Sequence, residues 1–189
     1  MEALLTSTVV VALAEVGDKT QLLAIVLATR FKRPWPIIGG IFAATIANHF
    51  LAALVGAEMS SFLDGRWFRY VIAVSFIAMA VWTLIPDKLH DIKDKPPRFG
   101  AFLTTTIAFF LVEMGDKTQI ATIALGARFH EVVPVTMGTT VGMMLANVPA
   151  VFLGNELIRR VPLKTVRMIA ALLFLFIGLW LLAQTAGLV

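Results

Sequence analysis

The sequence Glu-Val-Gly-Asp-Lys-Thr-Gln, residues 15–21, places three ionisable side chains inside an apolar stretch that spans residues 3–29. Almost the same seven residues, with Met in place of Val, return at 113–119 inside a second apolar stretch, 100–127. An ionisable side chain at the centre of a membrane helix costs about 2.5–3.5 kcal/mol on the insertion scale. Such residues persist where they serve a function and face the protein interior. The two motifs therefore predict two membrane helices that are interrupted by charge.

The composition indicates that lipid is the solvent for much of the surface. Of the 189 residues, 59% are hydrophobic and only 15% are charged, and the mean hydropathy is +0.87. Soluble proteins average about 25% charged residues, and a small soluble core cannot bury so much apolar surface. The net charge of +4 fits basic cytoplasmic loops and does not indicate nucleic-acid binding. The absence of cysteine excludes disulfides, thiolate metal sites and cysteine-based catalysis.

Six apolar stretches are long enough to cross a bilayer, which takes about 17–25 residues. They occupy residues 3–29, 35–57, 68–86, 100–127, 132–154 and 166–187. We therefore predict an all-α polytopic membrane protein with six transmembrane helices, of which the first and the fourth are interrupted at the motif. The longest and most polar connection contains two adjacent prolines, which is typical of a linker between two halves.

The two halves are repeats of each other. A shift of 98 residues superimposes the two motifs and also maps Gly40 onto Gly138. Asn48 matches Asn147 only at a shift of 99, which predicts a one-residue offset in the second helix of the repeat. The predicted organisation is a first three-helix repeat at 1–86, a polar linker at 87–99 and a second three-helix repeat at 100–189.

Each repeat has three spans, so the second repeat enters the membrane from the opposite side and the halves form an inverted repeat. Loop charge tests this topology, because Lys and Arg concentrate on the cytoplasmic side. The first, third and fifth loops carry Arg30, Lys32, Arg33, Lys88, Lys93, Lys95, Arg98, Arg159, Arg160, Lys164 and Arg167. The other side carries only Arg66, Arg69 and Arg128. We therefore predict a cytoplasmic linker and two periplasmic termini in a multi-pass protein of the bacterial inner membrane.

The spacing of the motif residues predicts a shared helix face. Positions three and four apart in a helix are neighbours, so Glu15, Asp18 and Lys19 are predicted to project together. Gln21 extends this polar edge. Gly17 tolerates local unwinding, which would let backbone carbonyls act as ligands, as in the broken helices of transporters. The corresponding residues of the second motif are Glu113, Gly115, Asp116, Lys117 and Gln119.

The two motifs, brought together across the pseudo-two-fold axis, would combine four carboxylates and two ammoniums into a net charge that one divalent cation neutralises. The candidate ligands are oxygen atoms, and these suit Ca²⁺, Mn²⁺ or Mg²⁺. Met114 stands where the first motif has Val16, and its thioether either favours Mn²⁺ or fills apolar space. Carboxylates that bind metal when ionised and release it when protonated would couple export to H⁺. The predicted metal ligands and their charge partners are Glu15, Asp18, Glu113, Asp116, Lys19 and Lys117.

Further polar residues accompany the motifs. Thr20 and Thr118 either donate their hydroxyls to the site or bond to the preceding helical turn. Asn48 and Asn147 lie in the middle of apolar stretches, where they either line the cavity or form interhelical hydrogen bonds. His49 adjoins Asn48 and could relay protons, although a packing role is the simpler interpretation.

The motifs resemble those of a family of small membrane proteins that carry two copies of Glu-x-Gly-Asp-[Lys/Arg]-[Ser/Thr]. The family includes the Golgi manganese/calcium transporters of eukaryotes and bacterial manganese exporters of the MneA type, and it is related to the cation/Ca²⁺ exchangers. The likeness covers both halves, and the family's motif acids fall on Glu15, Asp18, Glu113 and Asp116. It implies export of divalent cations, above all Mn²⁺, from the cytoplasm. The lack of an N-terminal targeting extension favours a prokaryotic member.

The residues and the resemblance together predict a secondary active transporter that exports Mn²⁺ in exchange for H⁺. A Ca²⁺/H⁺ antiporter is the nearest alternative, and a passive cation channel or a small-solute exporter is an alternative of another class. An enzyme is not expected, because the sequence shows no nucleophile–base pair. The expected partners are the transported cation, H⁺ and the lipid bilayer, with no permanently bound cofactor, and the sequence leaves a homodimer open.

Overall fold

The computed structural model describes residues 1–62, 65–85, 99–154 and 162–188, and every regular element in these ranges is an α-helix. The helices are α1 (Glu2–Glu15), α2 (Lys19–Phe31), α3 (Pro34–Phe62), α4 (Arg66–Thr83), α5 (Ala101–Glu113), α6 (Lys117–Phe129), α7 (Val132–Leu153) and α8 (Leu163–Ala186). The predicted all-helical class is confirmed. Nearly all of the predicted linker 87–99 lies outside the described residues.

Three helical segments are long and apolar enough to cross a membrane by themselves: Pro34–Ser60, Val132–Leu153 and Leu163–Ala186. The described surface also exposes many large apolar side chains, among them Leu172 and Phe176 on α8. Exposed apolar surface of this extent marks contact with a membrane or a partner. These segments are therefore candidate membrane spans.

Two short breaks separate α1 from α2 and α5 from α6. Gly17 has a φ of 80° and Gly115 a φ of 77°, in the left-handed region that glycine adopts without a steric penalty. Asp18 and Asp116 follow with extended backbones, at ψ values of 170° and 169°. The breaks thus have nearly the same geometry, and the predicted interruption of both helices at the motif is observed.

Corresponding helices of the two halves make corresponding contacts. α1 packs against α7, and its counterpart α5 packs against α3, the counterpart of α7. A Cβ atom added at Gly138 of α7 would lie 2.4 Å from the carbonyl oxygen of Leu4, and one at Gly40 of α3 would lie 2.7 Å from that of Phe102. Both glycines let two backbones approach closely, as small residues do between membrane helices. Leu4 and Phe102 are also 98 residues apart, so the repeat extends to the packing.

The helices fall into a central group and an additional pair. α3 and α7 contact each other, and between them they contact all four of the short helices α1, α2, α5 and α6. α4 and α8 pack closely against each other, with the rings of Phe76 and Phe174 at a centroid distance of 6.1 Å. The sequence positions of these two rings again differ by 98 residues. This packing brings polar residues in the middle of α3 and α7 beside the two breaks.

Candidate cation site

Two ion pairs cross between the motifs. The Nζ atom of Lys19 lies 2.9 Å from Oδ1 of Asp116, and the Nζ atom of Lys117 lies 3.1 Å from Oδ1 of Asp18. Each lysine therefore binds the aspartate of the other motif. The predicted helix face shared by Glu15, Asp18 and Lys19 is wrong, because the helix ends at Glu15 and a new one begins at Lys19. The break turns the lysine towards the other half of the molecule.

The motif glutamates end the first helix of each broken pair and are buried. Glu15 Oε1 accepts a hydrogen bond from the hydroxyl of Thr20, and Glu113 Oε1 accepts one from Thr118. Both threonine hydroxyls thus bond to a motif glutamate five residues earlier, which leaves a ligand role of the threonines a prediction. Glu15 lies within electrostatic range of Glu113 and of the two motif aspartates. All four carboxylates thus lie in one region.

The motif glutamines fold back onto the breaks. The backbone N–H of Gly17 donates to Oε1 of Gln21 at 2.9 Å, and that of Gly115 donates to Oε1 of Gln119 at 2.7 Å. Each side chain thereby satisfies a backbone donor that the helix break has freed. The glutamine amides then reach the central helices: Gln21 Nε2 donates to the carbonyl oxygen of Ala146 at 3.0 Å. Gln119 Nε2 donates to Oδ1 of Asn48 on α3.

Asn48 accepts from Gln119 through its side-chain oxygen, and Ala146 accepts from Gln21 through its backbone carbonyl oxygen. Asn48 and Ala146 therefore correspond, at a shift of 98. Likewise, Asn147 Nδ2 donates to Glu15 Oε1 at 3.0 Å, and His49 Nε2 lies 3.8 Å from Glu113 Oε1. The contacts therefore show that His49 in the first half is the structural counterpart of Asn147 in the second half. The predicted match of Asn48 with Asn147 at a shift of 99 is therefore wrong. The two positions hold the same residue type, but the positions that correspond in the structure hold different residue types.

Two residues contact the site but were not among the predicted ligands and charge partners. His49 is fully buried, and neither ring nitrogen has a hydrogen-bond partner within the described ranges. The sequence placed His49 beside Asn48 and 98 residues before Asn147, but a packing role was the simpler interpretation. Arg167, counted above only as a loop charge, donates from Nη2 to the carbonyl oxygen of Gly17 at 3.2 Å.

The site offers oxygen atoms that are not saturated by protein donors. Among the described residues, Oε2 of Glu15, Oε2 of Glu113 and Oδ2 of Asp116 are buried without a hydrogen-bond partner. Buried polar atoms are normally paired, so these atoms suit a cation or a proton. In the described part of the chain, no three His, Asp or Glu side chains already converge on one point as a metal cluster. A cation would therefore have to compete with the lysines for the aspartates.

A family model described as the divalent cation/proton antiporter GDT1 matches residues 3–91 and 101–188. The chain belongs to the GDT1 family. Each of the two matched blocks contains one motif, and the resemblance drawn from the motifs is confirmed. GDT1 proteins are cation transporters, so the expectation that this chain is not an enzyme is also confirmed.

Curated relatives align with nearly the whole of this GDT1 protein. It is 48% identical to a protein of Vibrio cholerae with the provisional name manganese exporter, over 95% of this chain and 90% of the relative. It is 30% identical to a GDT1-like protein of Synechocystis, over 92% and 93% of the two chains, and 26% identical to GDT1-like protein 5 of Arabidopsis thaliana, over 88% and 89%. No solved structure matches the chain.

Proposed function

We propose that this GDT1 protein exports Mn²⁺ in exchange for H⁺ through one site shared by the two motifs. Glu15, Asp18, Glu113 and Asp116 are the proposed ligands. The observation that carries the proposal is the crossed pairing of Lys19 with Asp116 and of Lys117 with Asp18. This pairing brings acids from both halves into one buried region, and the name of the Vibrio cholerae relative points to manganese.

We further infer that the chain forms six transmembrane helices in two inverted repeats, 1–86 and 100–189. The interrupted pairs α1–α2 and α5–α6 would each count as one span. Corresponding packing of the halves supports this topology, and the excess of basic residues on alternate loops puts the termini in the periplasm. The membrane would be the inner membrane of a bacterium.

Transport in this account rests on competition for the same carboxylates. A divalent cation that enters the site displaces the ammonium groups of Lys19 and Lys117 and gains aspartate oxygens. Protons entering from the other side neutralise the carboxylates and release the cation. Carbonyl oxygens at Gly17 and Gly115 and the hydroxyl and amide groups of the site would complete the coordination shell. These groups belong to Thr20, Thr118, Gln21, Gln119, Asn48 and Asn147.

The experiment uses inside-out membrane vesicles with an acidic interior, loaded with a pH-sensitive dye. We expect added Mn²⁺ to accumulate inside while the interior becomes more alkaline, because each entering cation drives protons out. Vesicles that lack the protein give the background. Mn²⁺ entry without proton movement would indicate a passive channel, and proton movement with Ca²⁺ alone would indicate the Ca²⁺/H⁺ alternative. Either result contradicts the proposal.

His49 provides a prediction about the choice between Mn²⁺ and Ca²⁺. Its imidazole lies beside Glu113, whereas the corresponding position beside Glu15 holds Asn147. Ca²⁺ takes oxygen ligands, whereas imidazole is a favourable ligand for transition metals. We expect His49→Asn to weaken the apparent affinity for Mn²⁺ by about tenfold, the range for losing a group close to a metal, and to change that for Ca²⁺ much less.

The matched variant is Asn147→His, which places the imidazole on the other half of the site. Competition between labelled Mn²⁺ and unlabelled Ca²⁺ in the vesicle assay gives the selectivity of each variant. Equal losses for both ions in His49→Asn would show that His49 only supports the packing of α3.

A further inference from the structure

The two breaks have the same backbone geometry but differ in what covers them. Gly17 is buried, and a Cβ atom added there would lie 2.9 Å from Cδ2 of Leu163 at the start of α8. Gly115 is exposed, and among the described residues no atom lies within 4 Å of the corresponding position. Among the described residues, the first break is therefore covered and the second is open.

The crossed ion pairs show the same asymmetry. Lys117, bound to Asp18 next to the covered break, has only 4% of its side chain exposed. Lys19, bound to Asp116 next to the open break, has 26% exposed. Since the two halves have nearly identical motifs, this difference comes from the position of the surrounding helices and not from the motif sequence.

Two arginines at equivalent positions have different environments. Arg167, near the start of α8, donates to the carbonyl oxygen of Gly17 at 3.2 Å. Arg69 lies 98 residues earlier, near the start of α4, and lines a cavity of about 450 Å³. In the described structure it makes no hydrogen bond to the carbonyl oxygen of Gly115. The arginine is thus engaged at the covered break and withdrawn at the open one.

α4 and α8, the helices that carry these arginines, do not follow the two-fold relation that the other helices show. α8 packs on α1, whereas its counterpart α4 packs on α6. The symmetry-related contacts, α4 with α5 and α8 with α2, are not of comparable extent among the described residues. The start of α8 therefore lies at the first break, whereas the start of α4 lies beside the end of α6, away from Gly115.

The open break is best explained by an aqueous entrance. Irregular backbone at membrane depth is tolerated only where protein buries it or where it lines a water-filled cavity. Gly115 and the preceding Met114 are both exposed. The N–H of Gly115 is bonded to Gln119, but lipid contact would offer no donors to the exposed carbonyl oxygens, whereas a water-filled entrance would.

We propose that Arg167 and Arg69 are alternating gate residues. Arg167 closes one entrance by binding the carbonyl oxygen of Gly17, and movement of the α4–α8 pair releases it and brings Arg69 onto the carbonyl oxygen of Gly115. The inference rests on the proposed antiport, which requires the site to open to each side in turn. With the termini in the periplasm, α8 begins at the cytoplasmic side, so the structure is closed to the cytoplasm and open to the periplasm.

The chain has no cysteine, so single cysteines report the two entrances without a background. Val16→Cys and Met114→Cys occupy equivalent extended positions next to the two glycines. They are labelled with a membrane-impermeant maleimide in inside-out and right-side-out vesicles. A minor state is populated to about 10% or less. We therefore expect Met114→Cys, from the periplasmic side, to react at least about tenfold faster than Val16→Cys from the cytoplasmic side.

Gate variants then separate a gate from a structural contact. Adding Arg167→Ala is expected to speed the labelling of Val16→Cys and to slow that of Met114→Cys, because the inward-open state gains population. Arg167→Lys keeps a donor and should restore much of the original pattern. Arg69→Ala is the matched control and should not speed the labelling of Val16→Cys. Size-exclusion profiles in detergent establish that each variant is folded.

Equal labelling rates at the two cysteines would overturn the inference, as would an Arg167→Ala effect of the same sign at both. Protection of Met114→Cys from both sides would also overturn it, since a partner chain rather than water would then cover the second break. The proposed function fails separately, if vesicles with the expected labelling pattern exchange no Mn²⁺ for protons.

Discussion

Replacing either motif glutamate with glutamine is expected to lower Mn²⁺/H⁺ exchange by more than about 100-fold, beyond the range for residues that only support a metal ligand. Glutamine has nearly the same shape, so the hydroxyls of Thr20 and Thr118 keep an acceptor and the fold is preserved. What is lost at Glu15 or Glu113 is a negative charge that either cation or proton would neutralise. The vesicle assay measures the effect for each single variant.

The control for this experiment is Glu58→Gln, which removes a carboxylate from an exposed position on α3. We expect it to transport at close to the rate of the original protein. If Glu15→Gln and Glu113→Gln both exchange Mn²⁺ at the control rate, the assignment of the site is wrong. If only one of them is inactive, the two motifs do not contribute equally to a shared site.

Breaking the more buried of the crossed ion pairs is expected to have the second largest effect. Asp18→Asn leaves the Lys117 ammonium, 4% exposed, without the charge of its aspartate. Removing one partner of a buried ion pair costs about 3–5 kcal/mol, because the other charge stays buried and loses that opposite charge. We therefore expect Asp18→Asn to lower the free energy of unfolding by this amount, measured by titration with a denaturing detergent in mixed micelles.

The equivalent substitution in the other motif, Asp116→Asn, is the matched control. Its lysine, Lys19, is 26% exposed and can turn towards water, so the loss of stability should be clearly smaller. Adding Lys117→Met to Asp18→Asn removes the buried charge and should restore part of the stability. Equal losses for the two aspartate variants would contradict the asymmetry of the two entrances.

The sequence was sufficient to predict the positions of the helices and of the breaks. Glycine followed by charge inside an apolar stretch disfavours a continuous membrane helix, and the structure ends helices at Glu15 and Glu113. The duplication also matched Gly40 with Gly138, and both glycines lie close to a neighbouring backbone. These features depend on local conformational preference and apolar pattern, which a single sequence carries.

The partners of the motif residues could not be predicted in the same way. A helix-face argument assigned Lys19 to its own motif, but the break redirects it to Asp116. The correspondence between α3 and α7 was also predicted wrongly. Asn48 and Asn147 were matched because they are the same residue type, whereas the contacts make His49 the counterpart of Asn147. Both errors have one cause, since these contacts are set by tertiary packing between halves that are distant in sequence.

The unequal covering of the breaks is a further feature that the sequence conceals. The nearly identical motifs predict equal surroundings for Gly17 and Gly115, whereas among the described residues only the first of these glycines is covered. A protein with two related states can adopt one of them at a time. Unequal surroundings for two nearly identical motifs are therefore expected of a transporter that alternates between two states.

The central claim is that acids from both motifs form one cation site, and equilibrium binding of Mn²⁺ to the purified protein in detergent tests it most directly. Electron paramagnetic resonance counts the free Mn²⁺ and gives the number bound per chain. We expect one Mn²⁺ per chain, and loss of that binding in Glu15→Gln and in Glu113→Gln alike. Two bound Mn²⁺ per chain, with one retained in each single variant, would show two independent sites and contradict the account.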